Sequence, residues 1–176
     1  MATIIGPTLP DPYYSTVESI RDELVDEFGV DEYANPFPHF TLYALDDDVD
    51  TATVEAAVEE ATEEHSPFSV HTDGIGIFPG NVVWLPVAKS PQLTALHSDV
   101  VRAVENLGTA PEPYYEPQRW FPHVGFALDV DDERTRNIVS FLLEYDFEWD
   151  FTVDNITITR PPADRSEYEV VASVDL

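Results

Sequence analysis

The chain of 176 residues has 35 acidic and 8 basic residues, a formal net charge of −27, and 43% apolar residues. The apolar share and the 12% of aromatic residues exclude a disordered acidic chain, so we expect the acidic side chains to coat a folded protein. Cysteine is absent, which excludes disulfides, thiolate metal sites and a cysteine nucleophile. No stretch is apolar enough to cross a membrane, and we expect a cytoplasmic protein of one compact domain.

The acidic residues are spread along the whole chain, and Lys89 is the only lysine. This distribution resembles that of proteins from salt-loving organisms, where concentrated salt shortens the screening length to about 3 Å and makes such a surface tolerable. An acidic face made for a basic partner would cluster its charges instead. We therefore expect self-repulsion at low salt, and no extensive binding of nucleic-acid backbones in dilute buffer.

The first half of the chain is predicted to run helix, strand, helix, strand, strand. Ser15 and Glu18 form a capping-box pattern at the start of a helix over 15–28, and Gly29 provides its stop. Asp50 is the predicted cap of the second helix. The remaining elements of this half are a strand over 37–44, the helix over 51–64, and extended segments over 67–78 and 81–88.

The second half repeats this order. Ser90 and Pro91 are typical of a helix start, and Gly108 ends the helix. Equivalent elements are offset by roughly 75 to 86 residues, which indicates a duplication with pseudo-repeats at about 1–89 and 90–176 that pack as related lobes. The elements of this half are a helix over 91–107, a proline- and tyrosine-rich loop over 109–119, a strand over 120–128, a helix over 132–145, and extended segments over 147–159 and 167–175.

Each half carries a histidine after a proline on its central strand, in PHFT at 38–41 and in PHVG at 122–125. Two imidazoles that titrate near neutral pH can serve as general base and general acid in one turnover. Such a pair suits a cyclic phosphodiester, and the reaction needs neither a metal nor a covalent intermediate. A single histidine on a strand is more often structural, but its recurrence at matching places favours a shared site for His39 and His123.

Alternate residues of a strand share a face. His39 is therefore expected to point the same way as Thr41 and Tyr43, and His123 the same way as Gly125. The opposite faces are predicted to pack inward, and they comprise Phe40, Leu42, Ala44, Val124, Phe126 and Leu128.

At these motifs the sequence resembles the two-histidine phosphoesterase superfamily, which includes 2'-5' RNA ligase-like proteins and RNA 2',3'-cyclic phosphodiesterases. Members carry two His-x-Thr/Ser motifs on a duplicated, two-lobed fold, and the order of elements is similar over nearly the whole chain. The segment 76–101 also looks like the family's linker between its motifs. The resemblance implies an α+β (α/β) fold with antiparallel sheets flanking a central cleft, and it implies that His39 and His123 are catalytic.

The first motif matches the family pattern fully, but Gly125 stands where the second motif has serine or threonine. The missing hydroxyl removes a phosphate donor, which can cost about 2–4 kcal/mol of transition-state stabilisation. Because a strand glycine permits close approach, its N–H can substitute; the alternative is a decayed half-site. Thr41, Gly125 and Tyr43 are the predicted substrate-binding residues, together with Arg119, which is either a phosphate ligand or an exposed surface residue.

The aromatic residues of the loop before the second motif allow two interpretations. Tyr114, Tyr115 and Trp120 can stack nucleobases, as in proteins that bind single-stranded RNA, or can simply pack. The remaining histidines, His65, His71 and His97, have no spacing that suggests metal ligands, and a boundary packing role is predicted for His97. We therefore expect no metal and no cofactor.

By resemblance, the function is hydrolysis of a 2',3'-cyclic phosphate on RNA ends or nucleotides, with a 2'-phosphate as product. One alternative is a non-catalytic protein that binds nucleotides or RNA ends with a degenerate second motif. Another is a purely structural or protein-interaction domain. Two near-equivalent motifs leave open which histidine is the acid and which is the base, and the oligomeric state is open as well.

Overall fold

The structure is a computed structural model that describes residues 2–30, 35–46, 49–110, 113–161 and 168–176. Its helices are α1 (Tyr13–Phe28), α2 (Thr51–Thr62), α3 (Pro91–Val104) and α4 (Asp132–Leu142), with a short 3-10 turn at Pro113–Tyr115. Its strands are β1 (Ala2–Gly6), β2 (Tyr43–Asp46), β3 (Phe68–Thr72), β4 (Gly76–Phe78), β5 (Val82–Pro86), β6 (His123–Ala127), β7 (Trp149–Val153), β8 (Asn155–Arg160) and β9 (Glu169–Asp175). Helices and antiparallel sheets together confirm the predicted α+β class.

The sheets repeat one pattern of strands. A four-stranded antiparallel sheet has the order β2-β1-β8-β9, and a three-stranded antiparallel sheet has the order β4-β5-β6. Read from the motif strand inward, β2-β1-β8 in the first sheet corresponds to β6-β5-β4 in the second. The two remaining strands, β3 and β7, are counterparts in the two halves and pair with each other. The duplication is therefore visible as two sheets of matching strand order.

The two halves of the chain are interleaved. Helix α1 of the first half packs on β6 and α4, whereas α3 of the second half packs on β2 and α2. One lobe thus consists of the four-stranded sheet with α2 and α3, and the other contains the three-stranded sheet with α1 and α4. Each lobe therefore contains elements of both halves. Helix α1 contacts β6 and helix α3 contacts β2, so each of these strands packs against a helix from the other half of the chain.

The start of α1 differs from the prediction. The helix begins after Pro12, which has no side-chain cap, and the Ser15 hydroxyl donates to the Asp11 carboxylate over 2.6 Å. The predicted capping box is therefore wrong, because an acceptor four residues earlier competes for the serine. The stop at Gly29 is confirmed, since this residue has a φ of 59° and its N–H donates to the carbonyl of Val25.

The strand before α2 is shorter than predicted, and β1 was missed. Residues 39–42 run beside the segment after β1, but the ladder is broken by prolines that offer no N–H. Phe40 N–H still donates to the carbonyl of Pro7 over 3.3 Å, and Leu42 N–H donates to the carbonyl of Ile5 over 2.8 Å. A short apolar segment with no alternation gives no strand signal of its own, which explains why β1 was missed.

Inward packing follows the predicted alternation up to the end of β6. All but one of the side chains predicted to face inward are buried. The buried ones are Phe40, Leu42, Ala44, Val124 and Phe126, and the exception is Leu128. Leu128 is 44% exposed, so that prediction is wrong. The strand ends at Ala127, and Asp129 has a left-handed φ of 52°, which turns the chain out of the sheet.

The charges lie at the surface. In the part of the chain that the structure describes, every Asp and Glu is at least partly exposed. Within the same residues, no helix is long and apolar enough to cross a membrane.

Candidate active site

The backbone of the first motif fixes the ring of His39. An isolated antiparallel bridge joins His39 to Thr8, and Nδ1 of the ring lies 2.6 Å from the carbonyl oxygen of Phe37. A carbonyl oxygen only accepts, so Nδ1 carries the hydrogen and Nε2 of the neutral ring keeps its lone pair. The tautomer and orientation of His39 are thus set by its own strand, which leaves Nε2 to act on a ligand.

His123 begins β6 and repeats this arrangement. Its Nδ1 lies 2.7 Å from the carbonyl oxygen of Phe121, as Nδ1 of His39 lies beside the carbonyl of Phe37. The repeat has a local cause, because both motifs read Phe-Pro-His and a proline keeps the preceding residue extended. Within the described residues neither Nε2 has a hydrogen-bond partner. The two rings therefore share one tautomer.

Electrostatic interaction links the two histidines. Loss of hydration lowers the pKa of His39 from 6.5 to about 4, and the positive charges of Arg21 and His123 act in the same direction. Burial also lowers the pKa of His123, and the hydrogen bond to the Phe121 carbonyl acts in the opposite direction. The structure thus brings His123 close enough to His39 for its charge to lower the pKa of the His39 ring. Arg21 also acts on His39, whereas burial accounts for the lowered pKa of His123.

The third residue of each motif is held through its backbone carbonyl. Nε1 of Trp120 donates to the carbonyl of Thr41 over 2.8 Å. Arg21 donates to the carbonyl of Gly125 through Nε over 3.2 Å and through Nη2 over 3.0 Å. The Thr41 hydroxyl makes no hydrogen bond within the described residues, so it remains available to a ligand. The two half-sites are therefore braced alike but offer different donors.

Arg21 connects both motifs from α1. Its side chain is buried, with 7% of the residue exposed, and Nη1 donates to the carbonyl of Pro36 over 3.1 Å. One guanidinium therefore contacts the residue before the first motif and Gly125 of the second. A buried guanidinium is tolerated only when its donors are used, and its planar fork suits two fixed carbonyls. This pair of contacts sets the spacing of the histidine strands.

Sequence reasoning missed Arg21, although a signal was present. The residue lies between Ile20 and Leu24 on the apolar stripe of α1, and a charge on a buried helix face needs partners. His97 occupies the matching position on α3, because the buried residues of the two helices share one spacing. These residues are Val17, Ile20, Arg21 and Leu24 on α1, and Leu93, Leu96, His97 and Val100 on α3.

His97 supports the second brace. Its ring stacks on Trp120 with centroids 3.8 Å apart and planes 5° from parallel, and its Nε2–H donates to the carbonyl of Tyr115. Loss of hydration lowers the pKa of His97 to about 4, so the ring packs uncharged. His97 is 1% exposed and lies in the interior rather than at the predicted boundary. Trp120 is 3% exposed, so its ring is too buried to stack on a nucleobase. It packs in the interior and holds the carbonyl of Thr41.

Aromatic side chains form a wall beside His123. Phe78 and Trp84 stack on each other at 4.4 Å, and both lie edge-on to the His123 ring, at 4.9 and 5.7 Å. Gly76 makes the stack possible, because a Cβ there would meet the indole of Trp84. Phe121 adds a third ring, 5.0 Å from Trp84, and remains 49% exposed. These rings desolvate one side of His123, and we call Phe78, Trp84 and Phe121 the aromatic wall.

Tyr43 and Arg119 lie apart from this arrangement. Tyr43 is 6% exposed and packs edge-on against Tyr115 at 6.3 Å. Arg119 is exposed, and its side chain forms no hydrogen bond or ion pair with the described residues. No contact within those residues joins Tyr43 or Arg119 to either motif histidine, so their substrate-binding roles stay predictions.

The other histidines are paired individually. Nε2 of His65 lies 3.0 Å from the Asp99 carboxylate, and Nδ1 of His71 lies 3.2 Å from the Asp150 carboxylate. Among the described residues, no three His, Asp or Glu side chains converge in a way that could hold a metal ion.

Comparison with known proteins identifies the family. The sequence pattern of the 2'-5' RNA ligase superfamily matches residues 9–165, so the chain belongs to that superfamily. TT0787 of Thermus thermophilus has a similar fold, with a TM-score of 0.72 and 16% identity over 100% of this chain and 98% of that chain. Apo LigT of E. coli has a TM-score of 0.66 and 16% identity over 99% and 96%. No curated protein matches the sequence.

A viral domain extends the comparison. The PDE domain of MHV ns2 has a TM-score of 0.53 and 18% identity, over 99% of this chain and 98% of that domain. At these identities the likeness establishes the fold, which is that of two-histidine phosphoesterases. Membership of the superfamily supports a phosphoesterase activity.

We expect the His39 ring to stay neutral down to about pH 4, because loss of hydration and nearby cations oppose its charging. Arg21→Gln should raise the pKa of His39, whereas Arg102→Gln, at an exposed site, should leave it unchanged. Between about pH 4 and 6.5 the His39 ring binds more protons in the unfolded chain than in the folded one, so its contribution to the free energy of unfolding should fall as the pH is lowered through this range. NMR titration of the ring resonances measures the pKa, and a His39 titration near 6.5 would contradict the prediction.

Arg21→Lys should lower the free energy of unfolding by about 2–3 kcal/mol, because an ammonium cannot replace the fork that holds two backbone carbonyls. Arg102→Lys is the matched control, since Arg102 makes an exposed ion pair with Asp99, and it should change stability by less than about 0.5 kcal/mol. Urea unfolding in molar potassium chloride measures both variants. Equal, small effects of the two substitutions would show that Arg21 is not a structural brace.

Proposed function

We propose that this protein is a metal-independent phosphodiesterase that hydrolyses 2',3'-cyclic phosphates on RNA ends or nucleotides with His39 and His123. The proposal rests on one observation: each half contributes a histidine with the same tautomer, and the charge of His123 lowers the pKa of His39. Structures of E. coli LigT in complex with 3'-AMP, ATP and phosphate support a nucleotide substrate in this fold.

The surroundings of the two rings favour His39 as the base. Loss of hydration opposes protonation of His39, and the charge of Arg21 adds to this effect, whereas burial accounts for the lowered pKa of His123. A neutral His39 keeps the Nε2 lone pair that a general base requires. An anionic phosphodiester bound between the rings would raise both pKa values, and His123 is the ring that more readily gains the proton of a general acid.

Hydrolysis then proceeds in one displacement. His39 Nε2 takes a proton from water as the water oxygen forms a bond to phosphorus. The bond from phosphorus to the ribose 3' oxygen breaks, and that oxygen receives the proton of His123 Nε2. The product is a 2'-phosphate. His39 leaves the step protonated and His123 neutral, so a proton must return before the next turnover.

Two donors are assigned to the phosphoryl oxygens. The Thr41 hydroxyl has no other hydrogen bond among the described residues and lies two residues from His39. Gly125 pairs with Trp84 in the antiparallel ladder, and its carbonyl points away from β5 towards Arg21. The N–H and C=O of a residue in such a ladder point the same way, so the Gly125 N–H is also free of β5 and takes the place of the missing hydroxyl.

The test is turnover of a 2',3'-cyclic mononucleotide and of a short RNA with a cyclic phosphate, in molar potassium chloride. His39→Ala and His123→Ala should each lower kcat by about 10²- to 10⁴-fold, the usual contribution of a general acid or base. His65→Ala is the control, because His65 pairs with Asp99 and contacts neither motif histidine among the described residues, and it should retain wild-type kcat. Activity that survives both motif substitutions unchanged would refute the catalytic assignment.

The absence of a hydroxyl at Gly125 favours one alternative, a protein that binds nucleotides or RNA ends without turning them over. Gly125→Thr separates the two functions. If the glycine N–H already serves as donor, kcat should change by less than about tenfold, since loss of a real donor costs about 10²–10³. A wild-type protein that binds a cyclic nucleotide but does not hydrolyse it, and that gains turnover with threonine, would establish the alternative.

A further inference from the structure

A pocket is lined in part by Phe121 of the aromatic wall. It has a volume of about 370 Å³ and a mostly apolar lining formed by His71, Asp73, Pro86, Val87, Ala88, Lys89, Phe121 and Pro122. Backbone contacts make it a fixed feature of the fold. Ala88 N–H donates to the carbonyl of His71 over 2.8 Å, and Val87 N–H donates to the carbonyl of Pro122 over 3.0 Å.

Phe121 belongs both to the lining of the pocket and to the aromatic wall beside His123. Phe121 and His123 are two residues apart in an extended segment, so their side chains share a face of the chain. The ring of Phe121 is half exposed, and it borders the pocket while also contacting Trp84 of the aromatic wall. A ligand whose phosphate lies at His123 can therefore continue into the pocket across an exposed aromatic face.

The charge of the pocket is unusual for this protein. Lys89 is the only lysine in a chain with a net charge of −27, and it forms no ion pair with the described residues. Its Nζ lies 5.3 Å from the Trp120 ring centre. The lining also includes Asp73, which is exposed, and His71, which lies 3.2 Å from the Asp150 carboxylate; among the described residues Lys89 has no carboxylate partner.

We propose that this pocket binds the nucleotide on the 5' side of the terminal cyclic phosphate. Its base stacks on Phe121, and Lys89 contacts the phosphodiester that joins it to the terminal nucleotide. An exposed aromatic ring and a cation without a carboxylate partner, in one pocket, are the combination that binds single-stranded nucleic acid without reading its sequence. The volume is close to the lower limit of small-molecule sites, which suits one nucleotide and not a longer segment. The inference rests on the proposed function, and it makes an RNA end a better substrate than a mononucleotide.

The experiment compares a 2',3'-cyclic mononucleotide with a dinucleotide that ends in a 2',3'-cyclic phosphate, in molar potassium chloride. The wild-type protein should use the dinucleotide with a kcat/KM about tenfold higher or more, as expected for one stacked base. Lys89→Gln and Ala88→Glu should each remove most of this preference by raising KM for the dinucleotide, with kcat/KM for the mononucleotide changed less than about twofold.

Two substitutions outside the pocket are matched controls. Arg136→Gln removes one exposed positive charge, and Ala56→Glu adds one exposed negative charge on α2, so each repeats the charge change of a pocket variant. Both should keep the wild-type preference. If the wild-type protein uses the two substrates equally, or if pocket and control variants lose the preference alike, the pocket is not a nucleotide subsite.

Binding separates this inference from the proposed function. Calorimetry with the two products, a nucleoside 2'-phosphate and the matching dinucleotide 2'-phosphate, needs no turnover. The dinucleotide should bind about tenfold more tightly, and Lys89→Gln should abolish the difference. If the protein shows this difference but hydrolyses neither substrate, the pocket assignment stands and the catalytic assignment is refuted. Equal affinities for the two products would overturn the pocket assignment even in an active enzyme.

Discussion

The buried guanidinium of Arg21 is the contact on which the arrangement of the site depends. It joins the carbonyl of Gly125 in the second motif to that of Pro36 just before the first. Each histidine ring is oriented by a carbonyl of its own chain segment. The two segments lie in different lobes, so a contact between the lobes is needed to fix the distance between them. A buried cation whose donors are directed at fixed carbonyls provides that connection, because a shift of either strand would break hydrogen bonds to a buried charge.

Duplication explains both the symmetry and the inequality of the two half-sites. The exchange of helices between halves places α1 against β6 and α3 against β2, so each motif is braced by the other half. Arg21 and His97 occupy matching helix positions but act differently: one holds a carbonyl directly, and the other stacks on the indole that does so. Burial lowers the pKa of both histidines, and the charge of Arg21 adds to this effect at His39.

Most elements of this fold were predicted from local signals, although the capping-box pattern at the start of α1, also a local signal, was wrong. Helix α2 was placed from its apolar spacing and the Asp50 cap, and the Gly29 stop of α1 was found from one residue type. Predictions failed where neighbours distant in sequence decide the outcome. Strand β1 is stabilised by β2 on one side and β8 on the other. Its own five residues have no alternating pattern that would predict a strand. Likewise, the interleaving of the halves depends on which apolar faces fit together across the chain.

For the candidate site, the sequence by itself determined the two histidines and the missing hydroxyl at Gly125. It also determined the ring tautomer, because Phe-Pro-His fixes the backbone that orients each imidazole. Only the tertiary structure decided that Arg21 and Trp120 hold the motif carbonyls, that Tyr43 is buried, and that Phe121 lines a pocket. The division has a physical reason. Ring orientation is set by hydrogen bonds across two residues, whereas spacing, burial and charge depend on contacts between residues far apart in the chain.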